Sequence, residues 1–167
     1  MIFDIELIEW ADPSELPLHI LLNKADKLKR GAQGKVLQQV RRDRPFAKVR
    51  LIGNGPLRDA LEKEAEERQL TGMLEFLGEL PRPEVIQWMR RSKVLLHTAK
   101  YEGQGYVFEE GLAQGMRVVS TPVGMANNNP RWKVESEVED LAEAVVNAIS
   151  APTFNDPGRM DRIEDTV

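Results

Sequence analysis

Short apolar runs alternate with amphipathic helical stretches from residue 18 to residue 149, and that alternation confines the chain to one fold class. Strands are expected over 18–22, 48–52, 73–77, 94–97, 117–120 and 132–134. Between them, apolar residues recur at helical spacing: Val36, Leu37 and Val40 over 33–42, then Leu57, Ala60, Leu61 and Ala65 over 57–69. Val85, Trp88 and Met89 mark the next helix, and the run Val138, Leu141, Ala142, Val145, Val146 and Ile149 has the clearest period. A further helix over 4–11 is expected to stop at Asp12-Pro13. Apolar strands separated by helices imply a parallel sheet covered on both faces, and right-handed crossovers leave few other arrangements. The expectation is a single doubly wound, Rossmann-like α/β domain over residues 1–150, with five or six parallel strands. Residues 151–167, rich in proline, glycine and charge, read as a tail.

Composition narrows the chemistry. With 167 residues, 41% apolar and 30% charged, the chain suits one globular domain. A net charge of −4 argues against a general nucleic-acid binder. The absence of cysteine removes disulfides, thiolate nucleophiles and zinc–thiolate sites. His19 and His97 stand far apart on strand-like segments, so no metal or other resident cofactor is expected, and each histidine is expected at a strand edge or end. No apolar run reaches membrane-spanning length and no signal segment precedes the first helix, which reads as a soluble, cytoplasmic protein without a membrane partner.

The segment from Tyr101 to Gly115 carries the strongest chemical signal. It sets Glu102 and Glu110 eight positions apart across a turn containing Gly103, Gln104 and Gly105 that runs into a helix. Ionised carboxylates only accept hydrogen bonds, so they suit the hydroxyls of a sugar nucleotide. In an open parallel sheet, ligands lie beyond the carboxyl ends of the strands, which is where this turn is expected. Gly103 and Gly105 would permit close backbone approach and unusual dihedrals, and the helix that follows could offer amide donors to a phosphate. An isolated glutamate pair more often decorates a solvated surface.

The wider run does not read as isolated. Glu102-Gly-Gln-Gly-Tyr-Val-Phe-Glu-Glu110-Gly-Leu-Ala-Gln-Gly115 and the following Met116 to Gly124 resemble the E-x7-E signature of retaining GT-B glycosyltransferases of the family 4 type. The resemblance also takes in Val49 to Pro56, Leu74 to Gly78 and Leu141 to Ala144, covering roughly residues 45–150. It implies the donor-binding half of such an enzyme. By position, Glu102 and the backbone of Gly103 to Gly105 would meet the donor sugar, Glu110 the ribose, and the backbone near Gly78 the base. A UDP- or GDP-sugar is the implied ligand. The chain departs from the family at Gln104, where an aromatic is common, and at Gly124 to Pro130, where a Gly-Gly-x-x-Glu stretch is frequent. An acceptor-binding half is also missing, and one wall of a cleft cannot position an acceptor.

The first quarter resembles something else. The family's diphosphate clamp would align with Lys24 and Arg30, within Asn23-Lys-Ala-Asp-Lys-Leu-Lys-Arg30-Gly31. That same stretch contains Asn23, Lys24 and Asp26 in the guanine-recognition pattern of GTPases. Over roughly residues 4–40 the chain resembles EngB-type GTPases. Gly31-Ala-Gln-Gly34-Lys35-Val36 has too few residues between its glycines for a phosphate loop and no hydroxyl for magnesium, so GTP hydrolysis is not expected.

The chain therefore reads as an engineered or recombined chimera of a GTPase-like segment and a glycosyltransferase donor half. Residual sugar-nucleotide affinity without turnover is the leading expectation. A guanine-nucleotide module and a purely structural fold without ligand are the alternatives. An interface exposed by loss of the partner half would favour self-association.

Overall fold

The computed structural model describes residues 19–23 and 32–151. Chain order is β1 (His19–Asn23), α1 (Ala32–Asp43), β2 (Lys48–Ile52), α2 (Arg58–Glu67), β3 (Leu74–Gly78), α3 (Arg82–Arg91), β4 (Val94–His97), α4 (Tyr106–Ala113), β5 (Arg117–Ser120), β6 (Trp132–Val134) and α5 (Val138–Ser150). The expected helix over 4–11 and the tail beyond residue 151 lie outside the described residues. The six strands form one sheet in the order β3-β2-β1-β4-β5-β6, and every adjacent pair is parallel. The α/β expectation, with its upper count of strands, holds.

Side chains sort by strand periodicity. On β4, Val94 and Leu96 join one apolar cluster with Val36, Val40, Leu141 and Val145, while Leu95 joins the other with Met89, Phe108, Met116 and Trp132. Helices α1 and α5 thus cover one face of the sheet and α3 and α4 the other. All four residues of β4 are buried, as expected of a central strand in a doubly covered sheet. The stripe expected on α5 faces inward along its whole length.

Helix α2 departs from expectation. Ala60 is exposed, Ala65 is its one fully buried residue, and the helix stops at Glu67 instead of continuing to Gln69. Gln69 takes a left-handed conformation, with φ of 56°. The Leu70 amide donates to the Ala65 carbonyl at 2.7 Å and the Gln69 amide to that of Glu66 at 2.9 Å. This is a Schellman ending, closed by burial of Leu70 with Ala65. The exposed face is supported instead by Arg58–Glu62 and Glu64–Arg68 pairs one helical turn apart.

Strand order reverses between β1 and β4. Successive strands run outward from β1 through β2 to β3, then return to its other side as β4, β5 and β6. The crevice beyond the carboxyl ends of β1 and β4 is where such a sheet offers a ligand site. Asn23 and His97, in register with one another, mark those ends.

Candidate functional site

The predicted turn stands at that crevice. Glu102 follows β4 by five residues, and its side chain is mostly shielded from solvent. One carboxylate oxygen, Oε1, accepts from the amide of Gly103 at 3.0 Å. The other, Oε2, lies 3.4 Å from Nε2 of His97, a side chain with no solvent exposure. His97 thus lies at a strand end, as its position in the chain suggested, and turns its ring toward the carboxylate.

Two glycines clamp the stem of Glu102. Gly105, the residue that caps α4, has φ of +78°, and Gly124 has φ of +58°. A Cβ on either would stand 3.2 Å from Cγ of Glu102, and on Gly105 it would also reach within 2.5 Å of the Phe108 ring. Both positions therefore favour glycine for conformation, and Gly105 needs it for space as well. Gly103 needs neither: its φ is not positive and a Cβ there would meet nothing. The sequence-based expectation of unusual dihedrals at both loop glycines is corrected for Gly103.

Beneath the turn, Phe108 is fully buried and packs edge-on to His97, with ring centroids 4.7 Å apart. Its other side meets Trp132 at 4.6 Å, and the Trp132 indole donates to Ser120 Oγ at 2.8 Å. Backbone and side chain together tie the end of β5 to β4: Thr121 N donates to the His97 carbonyl and Thr121 Oγ1 to that of Ala99.

Glu110 lies in the second turn of α4, and its carboxylate accepts from Arg82 Nη2 at 2.6 Å. Arg82 opens α3, just after Gly78, whose carbonyl accepts from the Gly53 amide at 2.7 Å. The carboxylate expected beside a ribose is therefore paired with the helix that follows, four residues on, the backbone expected beside a base. Sequence reasoning missed both Arg82 and His97, because neither lies in the glutamate run. Among the candidates of the first quarter, Asn23 closes β1 opposite His97, whereas Lys24, Asp26 and Arg30 lie outside the described residues. Gly34 and Lys35 belong to the first turn of α1, so they form a helix entry and not a phosphate loop. Gln104 is exposed and presents its carbonyl toward Gly124. Among the described residues no group of three histidine, aspartate or glutamate side chains could hold a metal ion, and no helix is long and apolar enough to cross a membrane.

The family model for glycosyl transferases group 1 matches residues 32–161, most of the chain. The chain belongs to that family. Residues 32–161 take in both glutamates and every strand but β1. Among curated proteins, the chain is 28% identical over 120 residues to the phosphatidylinositol N-acetylglucosaminyltransferase gpi3 subunit of Schizosaccharomyces pombe, covering 69% of this chain and 26% of that one. It is also 43% identical over 54 residues to the probable GTP-binding protein EngB of Nitrosococcus oceani, covering 30% of this chain and 27% of that one. The chain thus spans about a quarter of the length of each of these relatives.

Solved structures agree on the fold. TarM from S. aureus, in a variant crystallised with UDP among its ligands, superposes with a TM-score of 0.73 at 18% identity, over 92% of this chain and 33% of that one. The C-terminal domain of the group 1 glycosyl transferase LpcC from Francisella tularensis gives 0.65 at 16% identity, over 81% of this chain and 78% of that one. The glycosyltransferase part therefore corresponds to one Rossmann-like half of a GT-B architecture, and the short EngB match indicates a GTPase-like fragment.

Proposed function

We propose that this chain binds a nucleotide sugar in the crevice beyond β1 and β4, as the donor half of a retaining glycosyltransferase, and performs no transfer alone. The observation that carries the reading is the placement of Glu102. Its carboxylate stands at the point where strand order reverses, bonded by the Gly103 amide and faced by His97 Nε2 at 3.4 Å, and its stem is walled by Gly105 and Gly124. A carboxylate fixed in that manner is prepared to accept from sugar hydroxyls, while Glu110 accepts from the ribose once Arg82 moves aside. Neighbours crystallised with UDP, TarM among them, support the choice of nucleotide. The reading includes a cytoplasmic setting and an origin by recombination with a GTPase. It also includes self-association through the exposed Tyr101, Tyr106 and Met125 near the crevice.

Calorimetry with UDP, GDP, UDP-GlcNAc and UDP-glucose tests the binding claim. Binding that weakens in Glu110→Ala for every nucleotide, and in Glu102→Gln for the sugar-bearing ones, is expected. Heats of dilution alone with all four ligands would overturn it.

A second reading has one observation in its favour. Asn23, the first residue of the guanine-recognition pattern, closes β1 beside His97 at the same crevice. A guanine-nucleotide module would prefer GDP to UDP strongly and lose that preference in Asp26→Asn. Equal affinities would dismiss it.

A further inference from the structure

We infer that His97 is a positioning residue: through its Nε2 it sets the direction in which Glu102 presents its carboxylate to the crevice, and so governs recognition of the sugar part of the ligand. This deepens the nucleotide-sugar reading and rests on it for the identity of the ligand.

An imidazole with no solvent exposure, at the end of a fully buried strand, is costly unless its polar atoms are engaged. Its register neighbours, Asn23 on β1 and Ser120 on β5, are uncharged, and Phe108 covers one edge of the ring. Nε2 faces Oε2 of Glu102 at 3.4 Å.

The ring has little freedom to turn. Its contact with Phe108 is nearly perpendicular, at 79°, and Phe108 leans on Trp132, which Ser120 anchors. A continuous path therefore runs from β5 through two aromatic rings to the imidazole. A carboxylate offers about four lone-pair directions. Gly103 takes one of these on Oε1 and His97 faces one on Oε2. With Cγ pressed between Gly105 and Gly124, the remaining directions are fixed relative to the sheet. Take away the imidazole donor and the carboxylate can rotate about its last bond while the loop keeps its place.

Two substitutions separate the donor from the packing. His97→Phe keeps an aromatic ring against Phe108 and loses the nitrogen. His97→Gln keeps an N–H of similar reach. Thermal melts verify folding, and His97→Asn, too short to reach Oε2, replaces the phenylalanine variant if that one unfolds. The first readout needs no ligand: the amide resonance of Gly103, which reports on Glu102 Oε1. It should move in His97→Phe and stay near its original position in His97→Gln. The second is the ratio of UDP-GlcNAc to UDP affinity, which should fall about tenfold in His97→Phe and recover in His97→Gln, as expected for loss of a polar contact that directs a charged group. A folded His97→Phe with an unmoved Gly103 amide and an unchanged ratio overturns the inference. A moved amide in a protein that never distinguishes UDP-GlcNAc from UDP upholds the role of His97 and removes the sugar-nucleotide reading instead.

Discussion

Arg82 Nη2 stands 2.6 Å from Glu110 Oε1, so the carboxylate proposed to meet a ribose is held by a cation from the preceding helix. The arginine itself is largely exposed, which places the pair in the range where an ion pair contributes only ~0–1 kcal/mol. A ribose can displace such a partner.

Removing the competitor should therefore help the ligand. Uridine, which lacks phosphate, is expected to bind Arg82→Gln up to about fivefold more tightly than the parent protein, the equivalent of ~1 kcal/mol. Titration calorimetry reads this directly. Weaker uridine binding would mean that Arg82 contacts the nucleoside and does not merely cover Glu110.

Three of the glycines near the site should respond differently to a methyl group. Gly105→Ala combines a left-handed backbone with a Cβ 2.5 Å from the Phe108 ring and is expected to be the most damaging. In Gly111→Ala the new Cβ meets Leu95 Cδ2 at 2.9 Å in the tight contact between α4 and β4, costing about 1–3 kcal/mol. Gly103→Ala meets nothing and should stay within about 0.5 kcal/mol of the parent. Urea unfolding of the three variants gives the order, and a costly Gly103→Ala would refute the loop geometry.

At the end of α2, a glycine should improve on the natural residue. Gln69 holds φ of 56° to close the Schellman turn, a conformation that costs a side-chain-bearing residue about 1–2 kcal/mol. Gln69→Gly is expected to stabilise the protein by roughly 1 kcal/mol, since the added chain entropy of glycine offsets part of the relief. A rise in the thermal midpoint confirms it, and a fall shows that the Gln69 side chain contributes more than its strain.

Lys93 should give a pH-dependent signature. It precedes β4, and its ammonium pKa is lowered first by burial and then by repulsion from Arg117 and Arg44. At pH values below the lowered folded pKa both folded and unfolded chains keep the proton, and the folded protein bears the full penalty. As pH rises through that value toward the ordinary lysine pKa of 10.5, the folded state sheds the proton first and stability rises. Lys93→Met should therefore be stabilising near neutral pH, with an advantage that shrinks as pH climbs through the alkaline window. Paired denaturation curves at neutral and alkaline pH measure the difference. An advantage that is constant or grows would show that the charge is not destabilising.

Much of this arrangement could be read from residue order. The alternation of apolar strands and helical periods predicts a doubly covered sheet because each element must bury its own stripe, and Val94 to Leu96 and the α5 stripe do so. The position of Glu102 just beyond β4 was legible because glycines frame it at a strand end. Ala60 misled, since a charged helix braced by ion pairs along its own surface needs little burial, and an alanine there carries no strong preference for the core. His97 and Arg82 were silent because their partners are set by packing across elements. No local pattern records that a histidine at the end of β4 will meet a glutamate five residues later, or that the first residue of α3 will reach the second turn of α4.

Strand β1 sits at the middle of the sheet, yet it precedes residue 32, where the match to the glycosyltransferase family begins. Without it, β2 and β3 would lose contact with β4, β5 and β6, and two open edges would face one another across a gap one strand wide. The keystone of the sheet thus lies outside the stretch that the family model matches. A backbone ladder asks only for extended residues in the correct register, so the strand that fills this gap is constrained more by its backbone than by a fixed set of side chains. Tolerance of that kind lets the side chains of the central strand vary while the ladder stays closed, at the very edge of the crevice where Asn23 meets His97.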